Sequence, residues 1–359
     1  MEKKVKNPLK SILTIVISLA IAGFFLWLAL KDFDYISFKK SISKANYWWV
    51  LFAACFGIAA YWFRAIRWNL MLEPMGHQIS NSNSLWSISF GYLMNLTIPR
   101  SGEVARATAL YGVEKVPVDQ SFGTIILERV VDLVCMLAFL ALTAIFKFHT
   151  ILSFYHFVMD RRVEKDKFVP NFFEKQMIKL GVNDFDSFYL YLKIAIAILV
   201  LIGLLLFYKY KKEKLINFGR GILKGFTSIF KLRQKGKFIL YTIGIWVSYY
   251  FAAFLVCFAL PETSNFTFDD GFLILVVGTF GMIIPASGGI GAFNLAMKYG
   301  FMALFISMGK SGQLGGEVGL TYSFISLPLQ IIIMLVMGLI SIPMLAKARN
   351  KVVAEKEFK

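Results

Sequence analysis

The chain has 359 residues, 57% of them hydrophobic and only 17% charged, with 39 Lys/Arg against 22 Asp/Glu for a net charge of +17; its mean hydropathy is +0.64. A soluble chain carries about a quarter charged residues, so these values exclude soluble domains, disorder, collagen and a disulfide scaffold, and leave a polytopic membrane protein. The positive charge stands beside apolar segments, which points to the anionic cytoplasmic face of a bilayer and not to nucleic acid.

The first apolar run, 11–30, follows Lys3, Lys4, Lys6 and Lys10. Ala20-Ile21-Ala22 resembles a signal cleavage site, but Gly23-Phe24-Phe25-Leu26-Trp27 carries the run past it to about the 20 residues a span needs. The reading is an uncleaved first helix with a cytoplasmic N-terminus. Further full-length runs lie near 47–70, 120–146, 188–208, 238–260 and 319–345. Two shorter ones, 85–99 and 271–285, each end in proline with glycine close by. Irregular backbone at membrane depth survives only where protein or a wet cavity satisfies it, so both are expected to be re-entrant hairpins.

Loop charges orient these segments. Residues 209–237 hold ten Lys/Arg against Glu213 alone, and the tail carries Lys347, Arg349, Lys351, Lys356 and Lys359; the positive-inside rule makes both cytoplasmic. The stretch 261–270, with Glu262, Asp269, Asp270 and no cation, faces outside. The expected fold is therefore all-α and polytopic, with about six full spans plus two re-entrant hairpins in an inverted-topology repeat. The first repeat covers 1–147 with its hairpin near 85–106, and an external loop follows at 148–187. The second repeat covers 188–346 with its hairpin near 271–300, and 347–359 form a cytoplasmic tail. Ile98-Pro99-Arg100-Ser101-Gly102 and Ile284-Pro285-Ala286-Ser287-Gly288 both read I-P-x-S-G at matching places, and interrupted segments at such places point to a substrate site.

Intramembrane charge concentrates in the first half: Arg64, Arg67, Arg100, Glu103, Arg106, Glu128, Arg129 and Asp132. Each is expensive at the bilayer centre, about 2.5–3.5 kcal/mol on insertion scales. Two readings stay open for Arg64 and Arg67: snorkelling to phosphates beside Trp68 as an interfacial aromatic, or membership of a site. Glu103 and Arg106, three apart, are spaced to neutralise each other on a helix, and Glu128 and Asp132 share a helix face. Five arginines against three carboxylates leave cations to spare for an anionic headgroup, whose phosphate oxygens suit guanidinium forks. Ser101 is placed to cap the helix through Glu103 and Arg106, whose N-terminus favours an anion. Gly91 and Gly102 would let backbone approach a ligand, or let helices cross. Asn95 completes the first-half polar set. In the second hairpin Pro285, Ser287, Gly288, Gly289, Gly291 and Asn294 form an uncharged segment, either an acyl-chain gate or a packing crossover.

Cys55, Cys135 and Cys257 are odd in number, with no partner nearby in sequence, and none of His77, His149 and His156 falls in the cluster. Disulfides, metal and cofactor are therefore not expected.

Arg64-x-x-Arg67-Trp68, Gly91-x-x-x-Asn95-x-x-x-Pro99-Arg100-x-Gly102-Glu103-x-x-Arg106, Glu128-Arg129-x-x-Asp132 and Pro285-x-x-Gly288-Gly289-x-Gly291 resemble the lysylphosphatidylglycerol synthase transmembrane-region family, also called the flippase-like domain family. The resemblance covers nearly the whole chain. It implies an inner-membrane domain that moves phospholipid or lipid-linked headgroups between leaflets. Some members join this domain to a soluble synthase that aminoacylates phosphatidylglycerol. The short tail after the last expected span leaves no room for such a synthase within this chain, so no aminoacyl transfer is expected. The family often has a glutamate where this chain has Asn294.

Three functions follow as expectations. The first is a translocase for an anionic or lipid-linked lipid, using Arg64, Arg67, Asn95, Arg100, Glu103, Arg106, Glu128, Arg129 and Asp132 for substrate. With no nucleotide-binding motif, it would draw on a lipid gradient or an ion. The second is a transferase on a lipid carrier, and the third a non-transporting partner of a separately encoded lipid-modifying enzyme. For the third, the stripe Leu215, Phe218, Ile222, Phe226, Ile229 and Phe230 would lie on anionic lipid or dock the partner.

Overall fold

The computed structural model describes residues 35–98, 101–164, 232–284 and 289–357, with Val16, 19–20 and 23–30 of the first apolar run. The expected span at 188–208, the stripe 215–230, and Pro99, Arg100, Pro285, Ser287 and Gly288 of the hairpin turns lie outside the described residues. The chain divides into two compact units, one of 1–154 with 225–359 and one of 155–224. The site and packing below belong to the first.

Among the described residues every regular element is helical. In chain order they are α1 (Tyr35–Lys44), α2 (Tyr47–Leu72), α3 (Asn81–Thr97), α4 (Gly102–Glu114), α5 (Val118–Phe146), α6 (Phe148–Glu164), α7 (Lys235–Cys257), α8 (Phe268–Ile283), α9 (Ala292–Ser307) and α10 (Gly312–Glu357). Among the described residues three segments are long and apolar enough to cross a membrane: Tyr47–Met75, Lys235–Cys257 and Gly312–Asn350.

The helix starts carry their own chemistry. Asn46 opens α2 by accepting from the Trp48 N–H at 3.1 Å. At α8, Thr267 and Asp270 cap reciprocally: Asp270 Oδ2 accepts from the Thr267 N–H at 2.7 Å, which satisfies a donor no intrahelical carbonyl can reach. At the same helix start Lys147, just past α5, binds Asp269 at 2.7 Å and Asp270. Burial alone lowers the Lys147 pKa, but these two carboxylates outweigh it and hold the ammonium above its ordinary value. The last helix runs unbroken through Pro328 and Pro343. It continues past the expected tail boundary at 346 to Glu357, so most of the tail set apart in the sequence is helix.

Both short apolar segments become hairpins of two antiparallel helices. In the first, Asn83 of α3 meets Glu114 of α4 at 2.8 Å, and Asn95 meets Gly102 at the turn. A Cβ on Gly91 would stand 2.7 Å from the Gly102 carbonyl oxygen and 2.9 Å from the Arg106 Cβ. Of the two roles open to these glycines, the geometry displays helix crossing. In the second hairpin a Cβ on Gly281 would stand 2.8 Å from the Phe293 Cα, and Gly278 and Gly300 face Met297 and Val277. Gly289 and Gly291 at its turn have φ of 76° and 83°, a region where a side chain is strained.

Two apolar cores hold these elements. One gathers Tyr250, Phe254, Phe266, Phe301, Phe305 and Tyr322 from α7, α9, α10 and the turn before α8. The other gathers Trp68, Met71, Leu72, Ile88, Leu110 and Ile125 from α2 to α5. Each fully buried large apolar side chain contributes roughly 1.5–3 kcal/mol where water is the alternative; between helices in lipid, close packing replaces that drive.

Candidate functional site

The charges of the first half converge on α5. Arg64 binds Glu128 at 2.7 Å and Asp132 at 3.0 Å. Arg67 binds Asp132 at 2.8 Å, with Glu128 at 3.6 Å, and Arg106 closes on the other oxygen of Glu128. Arg64, Arg67, Arg106 and Glu128 are all buried, while Asp132 keeps 14% of its side chain exposed. Three guanidinium groups thus surround two carboxylates, and one positive charge remains over within this set. Because α2 offers arginines three apart and α5 offers carboxylates four apart, each pair projects from one face of its helix. The two faces meet.

Several sequence expectations change here. Arg64 and Arg67 do not snorkel beside an interfacial tryptophan: Trp68 is fully buried, donates to Thr124 Oγ1 at 2.8 Å, and carries the Arg106 guanidinium 4.2 Å above its ring. Glu103 and Arg106 do not neutralise each other. Arg106 turns inward to Glu128, and Glu103 accepts from Arg129 Nε at 2.9 Å; both partners lie on α5, so the approach of that helix, and not the spacing on α4, decides the pairing. Ser101 does not cap α4 with its side chain; its Oγ donates back to the carbonyls of Met94 and Ile98. Asn95 supplies the cap instead, accepting the Gly102 N–H at 2.7 Å. Asn294 works similarly in the second hairpin. It is buried, accepts the Gly291 N–H at 3.0 Å and donates to Ser323 Oγ at 2.8 Å.

Beside the ion network lies a cavity of about 550 Å³. Arg64, Arg129 and Asp132 supply its charged wall. Tyr61, Tyr92, Tyr249 and Trp246 add polar aromatic atoms, and Ile274, Met282 and Phe293 are among the apolar lining. The Arg64 guanidinium carbon stands 5.8 Å from the Tyr249 ring centroid. Arg129 is the accessible cation, with 49% of its side chain exposed and Glu103 as its ion-pair partner. The sequence reading missed the aromatic wall. Tyrosines inside apolar runs look like any interfacial or packing residue, and only the antiparallel pairing of α2 with α7 puts Tyr61 and Tyr249 around one space. Gly289 and Gly291 belong to the second-hairpin turn, and Phe293, just beyond it, reaches the cavity. Among the described residues no group of His, Cys, Asp and Glu has the arrangement of a metal site.

The fold and this buried ion network define a helical membrane protein with a part-charged, part-apolar cavity. The model of the lysylphosphatidylglycerol synthase TM region family matches residues 15–334, and the chain belongs to that family. Membership ties it to a membrane-lipid role. No curated protein and no solved structure matches it significantly.

Proposed function

We propose that the protein is a translocase that moves an anionic phospholipid between leaflets of the cell membrane, with both termini on the cytoplasmic side. The observation that carries this reading is the 550 Å³ cavity, charged at Arg64, Arg129 and Asp132 and apolar along Ile274, Met282 and Phe293. A phospholipid has the same division: a phosphate at one end and hydrocarbon at the other. Arg129 is the group that meets the phosphate, since it is half exposed and can offer a second nitrogen while Nε stays on Glu103. The buried network of Arg64, Arg67, Arg106, Glu128 and Asp132 positions α2, α4 and α5 around the cavity and supplies the surplus positive field. The two hairpins form the inverted repeat expected from the sequence and dip into the membrane from opposite sides. Arg100 is expected from the sequence alone to join the headgroup site.

The protein reconstituted in liposomes tests the reading directly. Labelled phosphatidylglycerol should exchange between leaflets faster than labelled phosphatidylcholine, and Arg129→Gln should abolish the difference. Equal exchange of both lipids by both proteins would overturn it.

A further inference from the structure

Between Ser326 and Ser341 the last helix carries one polar side chain, Gln330. An amide in such an apolar run is costly unless something meets its polar atoms. Gln330 has a single long contact, 3.4 Å from its Nε2 to Ser326 Oγ one turn away on the same helix. Its carbonyl oxygen accepts nothing among the described residues, yet it is not one of the polar atoms sealed off from solvent.

The open side of this amide is the cavity. Gln330 lines it and is partly exposed. The outward stripe of α10 runs through Pro328, Ile332, Leu335 and Leu339, all exposed. Residues two apart on a helix stand about 200° apart around its axis. Gln330, two from Pro328 and two from Ile332, therefore points away from that stripe, on the side from which Ser326, Ile333 and Met334 also line the cavity.

Register sets its depth. Helix α10 runs antiparallel to α2: Ile333 meets Gly57, and further on Gly338 meets Leu93, whose neighbour Tyr92 has its ring 4.8 Å from that of Tyr61. Helix α7 is antiparallel to α2 as well, with Arg67 at Thr242, Phe63 at Gly244 and Phe56 at Phe251. That sets Trp246 opposite Tyr61 and Ala253 near Ala53. Counting from Arg64 to Gly57 on α2 and from Ile333 to Gln330 on α10, at 1.5 Å per residue, the amide lies about 15 Å from Arg64 along the bundle. The cavity wall at that level includes Ala53, Ala253 and Leu329.

We propose that Gln330 is a second, weaker station for the headgroup as it crosses the cavity, its amide N–H donating to a phosphate oxygen and its carbonyl accepting from a headgroup hydroxyl. This rests on reading the cavity as the path of an anionic phospholipid. A phosphate that leaves Arg129 enters a largely apolar stretch, where an unmet charge is expensive. A group along a path must bind well enough to admit its cargo and weakly enough to release it. A neutral amide does both, where a second arginine would trap the anion.

Two measurements on the full-length protein test this together: exchange of labelled phosphatidylglycerol in liposomes, and its binding in detergent. Gln330→Met keeps the length of the side chain and removes the amide. It should slow exchange about 3- to 10-fold, the span of one hydrogen bond, with binding and melting temperature unchanged. Gln330→Glu, the same shape with a negative charge, should slow exchange further. Arg129→Gln should instead weaken binding. Exchange by Gln330→Met at the unmodified rate would overturn the station. So would binding and exchange falling in proportion in that variant, since Gln330 would then belong to the Arg129 site or to the fold. Either result alongside a full Arg129 effect leaves the anionic site standing. Binding that does not depend on Arg129 would overturn the headgroup site, and the station with it.

Discussion

Arg129 Nε donates to Glu103 Oε1 at 2.9 Å, tying α5 to α4 where both side chains remain partly exposed. One residue earlier on α5, Glu128 is fully enclosed by arginines. Neighbours in sequence thus sit in opposite environments, and their variants should behave oppositely.

Glu128→Gln is expected to destabilise the protein by about 3–5 kcal/mol, because it leaves Arg64, Arg67 and Arg106 buried around a neutral amide. Glu103→Gln should change stability by no more than about 1 kcal/mol, as for exposed pairs generally. Unfolding in detergent measures both. Similar losses in the two variants would contradict the buried network.

Gly91→Ala places a methyl group 2.7 Å from the Gly102 carbonyl oxygen, a backbone atom that cannot swing aside. The first hairpin should loosen at a cost of about 1–3 kcal/mol. Gly112→Ala, on α4 with nothing within 4 Å of the added carbon, should instead gain about 0.5–1 kcal/mol from helix propensity. Melting temperatures that move in the same direction would argue against the crossing.

Asn294→Ala removes the amide that accepts from the buried Gly291 N–H and donates to Ser323 Oγ. A loss of about 1–3 kcal/mol is expected, and hydrogen exchange at the second-hairpin turn should rise before exchange elsewhere does. Unchanged protection at Gly291 would show that the asparagine does not hold the turn.

Lys147 has a pKa raised by Asp269 and Asp270. Its contribution to stability is complete below the ordinary lysine value, about 10.4, and is lost as pH climbs through the higher folded value. Thermal unfolding followed from pH 8 upward should therefore fall less steeply in Lys147→Met, which starts lower. Parallel curves would remove the lysine from the α5–α8 contact.

Much of this was legible in the sequence. Apolar run lengths announced α2, α7 and the body of α10, and Pro99 and Pro285 marked where the short helices end. Charges inside apolar segments singled out Arg64, Arg67, Glu128 and Asp132 as a group. The pairings were not legible. Spacing on α4 suggests that Glu103 meets Arg106, and only the approach of α5 to one side of α4 separates them. Ser101 looked like the cap by residue type, yet Asn95 reaches Gly102 because the chain folds back on itself.

What the chain determines alone is one-dimensional: hydropathy, helical period and helix breakers act through neighbours a few residues away, and they set which segments are helices and which faces carry charge. What only the tertiary structure decides is which faces meet. The antiparallel register of α2 and α7 brings Tyr61 level with Trp246 across 185 positions of sequence, and the crossing of α2 with α5 gathers three arginines on two carboxylates. Such matches depend on close packing between helices distant in the chain, where a shift of one turn would separate every pair.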